Sequence, residues 1–98
     1  MFVKIHKSYR NVVAICDSEL LGKTFEQEKK ILDIKESFFK GEKVSEQELL
    51  KILGKQGKED STFNIVGEKS VKIAEKAKII NKQGIMTIQN IPYALVLL

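Results

Sequence analysis

The residues with the clearest chemical potential surround a single glycine. Residues 63–66 form an apolar, strand-like run, Gly67 follows, and a lysine-edged helical pattern begins at Glu68. Because the amides at a helix N-terminus favour an anion, we expect the amides of residues 68–70, together with Lys69, to contact a phosphate group. The turn lacks the second, upstream glycine of a phosphate loop. Nucleotide hydrolysis is therefore not expected there.

Basic residues are concentrated in two segments. Residues 1–10 contain Lys4, Lys7 and Arg10 and no acid, and the predicted helix carries Lys69, Lys72 and Lys76 at i, i+3 and i+7, a spacing that places them on one helix face. We expect the two groups to lie on the same side of the fold and to form one patch that contacts phosphates. The alternative interpretation is a solvated helix face on which Glu68 pairs with Lys72.

The chain has one histidine, His6, and one cysteine, Cys16. These are too few for a zinc site, and neither a metal nor another cofactor is predicted. Cys16 ends an apolar run and is interpreted as a core residue, because burial and the adjacent Asp17 both raise a thiol pKa. A second hypothesis for function is a small enzyme or an anionic-ligand site, which would be built from His6, Asp17, Asn64, Gly67 and Lys69.

Two adjacent aromatic residues, Phe38 and Phe39, support a third hypothesis. Such a pair often places one ring in the core and the other beneath a loop, but it also suits a subunit that docks on a protein partner.

Hydrophobic periodicity predicts an α+β fold with a largely antiparallel sheet and two main helices. The predicted strands cover residues 3–6, 12–16, 31–35, 63–66, 85–89 and 93–98, with the last strand covered on both sides and preceded by a turn at Pro92. A Ser45–Glu48 capping box begins the first main helix, which Gly54 and Gly57 are expected to end, and residues 68–78 form the second. A helix start is also expected at residues 17–19.

Composition limits the choice of function. The chain has 98 residues, 43% hydrophobic and 31% charged, which is typical of one folded domain over residues 1–98. Its net charge of +4 permits a phosphate-rich partner without requiring one. No signal-peptide pattern or run of about 18 apolar residues is visible, so a cytoplasmic protein without a membrane partner is expected.

Several blocks carry a family resemblance. The segments VKIHKSYRNVVAICDSELLGKTF, SFFKGEKVSEQEL, FNIVGEKSVKIA and IPYALVLL resemble an archaeal family of about one hundred residues, known as domain-of-unknown-function family four-two-four. The resemblance implies an archaeal, cytoplasmic, single-domain α+β protein with an association with translation or RNA, and it implies no activity.

These observations favour a non-enzymatic module that binds RNA or a ribonucleoprotein. The residues expected to contact phosphates are Lys4, Lys7, Arg10, Lys69, Lys72 and Lys76. The ligand site around His6 and the Gly67 turn, and docking through Phe38 and Phe39, stay as alternatives.

Overall fold

The computed structural model describes residues 1–97, which form two sheets and three α-helices. The strands are β1 (Phe2–His6), β2 (Val12–Cys16), β3 (Thr24–Gln27), β4 (Lys30–Asp33), β5 (Glu42–Lys43), β6 (Thr62–Val66), β7 (Met86–Ile88) and β8 (Ile91–Val96). The helices are α1 (Glu36–Phe39), α2 (Glu46–Lys58) and α3 (Glu68–Lys76), with short 3₁₀ turns at Ser18–Leu20 and Lys82–Gly84. The predicted α+β class is confirmed.

The main sheet has the strand order β5-β1-β2-β6-β8-β7 within the described chain, and β3 pairs with β4 in a separate hairpin. β2 and β6 run parallel, whereas the other neighbouring strands of the main sheet are antiparallel. The parallel pair places Cys16 level with Val66. As a result, the residues that follow these two strands emerge at the same end of the sheet.

Side chains alternate between two apolar layers. Val13, Ile15, Phe63 and Ile65 pack against α2 and α3 on one face. On the other face, which we call the second face, the buried cluster is formed by Ala14, Cys16, Leu20, Ile34, Phe39 and Val66. Coverage on both sides explains why the predicted β2 run is apolar without alternation.

The helix boundaries differ partly from the prediction. Ser45 accepts a hydrogen bond from the Glu48 amide, and the Glu48 carboxylate accepts one from the Ser45 amide, so the predicted capping box is confirmed. Gly54 and Gly57 do not end α2, which continues to Lys58. A Cβ at Gly54 would meet nothing within 4 Å, and the chain turns only at Asp60, where φ is +55°. Glycine weakens a helix interior but does not by itself break it.

The C-terminal hairpin also corrects the prediction. Its turn lies at Gln89 and Asn90, which both have positive φ, and Pro92 lies inside β8 opposite Thr87. The closing pair of the hairpin is Ile88 with Ile91, and hydrogen-bonded pairs alternate with non-hydrogen-bonded pairs along an antiparallel ladder. The next pair, Thr87 with Pro92, is therefore one in which proline removes no hydrogen bond to β7. The end of β8 is not covered on both sides, because the Leu95 side chain is 49% exposed. The predicted strand end at residue 98 lies outside the described residues.

Candidate functional site

The Gly67 turn holds a carboxylate that belongs to the chain itself. Asp17 accepts hydrogen bonds from the amide of Lys69 at 3.0 Å, the amide of Ser70 at 2.8 Å and the hydroxyl of Ser70 at 2.7 Å. Gly67 has φ +110°, and a Cβ there would lie 2.3 Å from the Asp17 Cγ atom. Two of the three amides expected to bind a phosphate therefore already bind Asp17.

The parallel pairing of β2 and β6 positions this carboxylate. Asp17 follows the last residue of β2, and its amide donates to the Val66 carbonyl at 3.0 Å. Only 3% of the residue is exposed. A carboxylate at the N-terminus of a helix satisfies free amides and interacts favourably with the helix dipole. Sequence reasoning grouped Asp17 with Gly67 and Lys69 but missed this capping role.

Cys16 is a buried core residue on the second face, as the sequence predicts. Burial is the main cause that raises the pKa of its thiol to about 11, and the negative charge of Asp17 adds to the effect. The thiol therefore stays protonated at neutral pH. This state does not suit a nucleophile.

The three α3 lysines line one cavity. Lys69, Lys72 and Lys76 are exposed and, together with Met1, Glu46 and Ile73, surround a cavity of about 310 Å³ that we call the α3 groove. Lys76 Nζ lies 3.6 Å from Glu46 Oε2, an exposed ion pair. Within residues 1–97, no ion pair joins Glu68 to Lys72. The helical spacing thus brings three ammonium groups around one groove, in which Glu46 is the single carboxylate contributed by the described residues.

The cations of the N-terminal segment do not extend this groove. Lys4 projects from the second face, opposite to α3, and its Nζ donates to the Ser37 carbonyl at 2.8 Å. Lys7 and Arg10 are exposed in the loop between β1 and β2. That loop lies at the end of the sheet where β6 begins, whereas α3 starts where β6 ends. The structure does not bring the six cations together as one patch.

His6 lies far from the Gly67 turn, at the end of β1 near the loop to β2. Its Nε2 lies 2.8 Å from the Phe38 carbonyl, and its ring stacks on the Phe38 ring with a centroid distance of 4.6 Å. Because a carbonyl only accepts, Nε2 carries the hydrogen. Of the five residues in the ligand-site hypothesis, Asp17, Gly67 and Lys69 meet, while His6 and Asn64 lie elsewhere on the sheet.

The adjacent aromatic residues have separate roles. Phe39 is buried in the second-face cluster, and Phe38 is half-buried, stacked on His6 and in a T-shaped contact with Phe39. By contrast, Tyr9 is fully exposed, with 104% of its reference surface accessible. Phe38 and Phe39 thus contribute packing within the chain, and docking through them stays a prediction.

The described residues contain no group of three or more histidine, cysteine, aspartate or glutamate side chains that could hold a metal ion. Across the same part of the chain, no helix has both the length and the apolar character needed to cross a membrane.

The fold and the sequence are both similar to known proteins. The crystal structure of an uncharacterized conserved protein from Methanopyrus kandleri has a TM-score of 0.83 and 24% identity to this chain, and the match covers 97% of this chain and 88% of that one. This likeness shows a shared fold. No curated protein matches the chain. The family model described as "Protein of unknown function (DUF424)" matches residues 6–98. The chain therefore belongs to the DUF424 family, as the resemblance in its sequence implies.

Proposed function

We propose that the protein is a non-enzymatic RNA-binding module that contacts the phosphate backbone through the α3 groove. One observation carries the proposal: Lys69, Lys72 and Lys76 line the same cavity, and within residues 1–97 only Lys76 of the three lies within 4 Å of a carboxylate. Lysine offers a mobile point charge, which suits phosphate contact better than the reading of base edges. An association with translation, which the family resemblance implies, belongs to the same proposal.

The geometry of the row supports an extended anionic ligand. At a rise of about 1.5 Å per residue, the first and last of the three lysines are separated by roughly 10 Å along the helix axis. Successive phosphates of a nucleic acid strand lie about 3.4 Å apart along a duplex axis. A row of this length spans about three such intervals and therefore suits several consecutive phosphates better than one isolated ion.

The enzyme hypothesis has less support from the geometry. His6 uses its Nε2 hydrogen on a backbone carbonyl, and Asp17 uses both carboxylate oxygens on the start of α3. Neither group approaches the other, because they lie at opposite ends of β1 and β2. A general acid or base must reach the reacting group directly or through one water.

Salt dependence of RNA binding tests the proposal. Affinity for a labelled single-stranded RNA of mixed sequence is measured by fluorescence anisotropy over a salt series. Neutralisation of three phosphates predicts a slope of about −2 for log K against log salt, or a roughly 20-fold loss of affinity between about 50 and about 200 mM. The variant Lys69→Gln/Lys72→Gln/Lys76→Gln should lose most of this slope.

A second triple variant provides a matched control. Lys51, Lys55 and Lys58 are exposed on α2 and have a similar helical spacing, so their replacement by glutamine removes the same charge from another surface. This control should keep the salt slope of the unmodified protein. Equal losses of slope in the two triple variants would show a general charge effect and refute binding at the α3 groove. Absence of RNA binding at low salt would refute the function itself.

A further inference from the structure

The second face of the main sheet is covered unevenly. α1 packs on β1 and β2, at one side of this face, and the β3–β4 hairpin packs on β7, at the other. Gln89, which follows β7, connects the hairpin to the main sheet by two hydrogen bonds. Its backbone amide donates to Gln27 Oε1, and its side-chain amide donates to the Glu26 carbonyl. Between these two covers lie β6 and β8, whose second face forms the floor of a groove.

This β6–β8 groove has a cavity of about 270 Å³. Ile31 and Asp33 of the hairpin line one wall, Phe38 of α1 lines the other, and Asn64, Tyr93 and Leu95 line the floor. Ile31 and Leu95 are large apolar side chains that remain 67% and 49% exposed. The groove is therefore an open and mainly apolar site, with the Asp33 carboxylate in one wall and an amide and an aromatic ring in its floor.

Asn64 is a polar residue at a position where an apolar side chain would be expected. It occupies the middle of an interior strand, level with Ala14 on β2 and with Leu95 on β8. Asparagine is disfavoured in strands, and an apolar side chain would suit this half-buried position of an interior strand better. Within residues 1–97, no hydrogen bond satisfies the side-chain amide of Asn64. Its donor and acceptor are thus available in the groove.

The chemistry of the lining selects a class of ligand. No lysine, arginine or histidine of the described chain lines the cavity, so a phosphate or carboxylate would have no countercharge there. The cavity is slightly smaller than the roughly 300 Å³ of the smallest ordinary ligand pockets, a size that suits one ring system. An asparagine amide can pair with the edge of a base, while apolar and aromatic side chains contact its faces.

We propose that the β6–β8 groove binds one nucleobase, with Asn64 as the residue that hydrogen-bonds its edge. This site rests on the proposed RNA-binding function, because a base in the groove would be part of the same RNA ligand. The two sites lie on opposite faces of β6 and β8. Nucleosides, which lack phosphate, therefore test the groove separately from the lysines.

The experiment uses the full chain labelled with ¹⁵N and ¹³C. Adenosine, cytidine and uridine are titrated separately while NMR follows the side-chain NH₂ of Asn64 and the methyl groups of Leu95. At least one nucleoside should give saturable shifts at both residues. Asn64→Leu should weaken that binding by about tenfold or more, since two hydrogen bonds are lost, while the salt slope for RNA is retained. Asn64→Val, with a β-branched side chain, provides a second variant with the same expectation.

Because the two sites are separate, variants of each site distinguish failure of the nucleobase proposal from failure of the RNA-binding proposal. The α3 triple glutamine variant should bind nucleosides with unchanged affinity, whereas its RNA salt slope is lost. Absence of nucleoside shifts at Asn64, in a protein that still shows the salt-dependent RNA binding, would overturn the nucleobase proposal alone. The nucleobase proposal would also be overturned if the Asn64→Leu variant bound nucleosides with the same affinity as the unmodified protein. Displacement of the nucleoside by cyclohexanol at equal concentration would instead indicate an apolar docking groove and refute base recognition.

Discussion

The Asp17 carboxylate should make a large contribution to the stability of this fold. Asp17→Asn preserves the size of the side chain but replaces one acceptor oxygen with an NH₂ group. That group would face an N–H donor of Lys69 or the two donors of Ser70, so at least one hydrogen bond is lost in a site that is 3% exposed. A hydrogen bond to a charged group contributes about 1.5–3 kcal/mol. Loss of the negative charge near the helix dipole adds about 0.3–1 kcal/mol.

The expected cost of Asp17→Asn is therefore about 3 kcal/mol in the free energy of unfolding. For a domain of this size, it corresponds to a fall in Tm of roughly 12–24 °C. Urea unfolding and thermal melts, both followed by far-ultraviolet circular dichroism, measure the two quantities. Ser70→Ala removes only the hydroxyl bond to the same carboxylate and should cost about 1.5–3 kcal/mol.

Asp33→Asn is the matched control for Asp17→Asn. The Asp33 carboxylate also accepts a hydrogen bond, from the Thr24 hydroxyl at 3.2 Å, but its side chain is 40% exposed. Water can replace the lost interaction there, so a cost below about 1 kcal/mol is expected. If the two asparagine variants unfold at the same urea concentration, the reasoning about Asp17 is wrong.

Three further perturbations probe other parts of the structure. Gly67→Ala forces a Cβ toward Asp17 at φ +110° and should cost more than about 3 kcal/mol, measured by urea unfolding. Cys16 should resist thiol reagents in the native protein and react after unfolding. Because its folded pKa of about 11 exceeds the ordinary 9.0, the native state keeps a proton that the unfolded state releases. Stability should therefore fall between these pH values, and less so in Cys16→Ala. His6→Ala removes the bond to the Phe38 carbonyl and the ring stack, so stability should fall by about 1–2 kcal/mol. RNA affinity should not change, and its collapse in a folded variant would favour the ligand-site hypothesis.

Features set by neighbouring residues could be predicted from the sequence. The Ser45–Glu48 capping box and the start of α3 after Gly67 depend on contacts within a few residues, and both were located correctly. The convergence of the α3 lysines follows from helical periodicity in the same way. The strand β3 was not predicted, because residues 24–27 are mostly exposed and show no alternation that identifies a strand.

Features set by distant pairing could not be predicted. Asp17 reaches α3 across 52 residues, and that contact depends on the parallel register of β2 with β6. The side on which Lys4 lies relative to α3 depends equally on tertiary packing, since α1 and α3 cover opposite faces of the main sheet. Asn64 was assigned to a site with His6 and Gly67, but the strand order places its side chain in a groove with Tyr93. No short-range pattern contains this information.

The order of the strands explains how so short a chain has two separate candidate surfaces. β6 and β8 lie in the interior of the main sheet, and α3 packs on one face of both strands. On the other face, α1 covers β1 and β2, and the β3–β4 hairpin covers β7. Successive residues of β6 then divide between the faces, so that Phe63 and Ile65 pack beneath the helices and Asn64 enters the groove. The apolar layer between them separates the lysine row from the amide, so we expect substitutions on one surface to leave the side chains of the other in place.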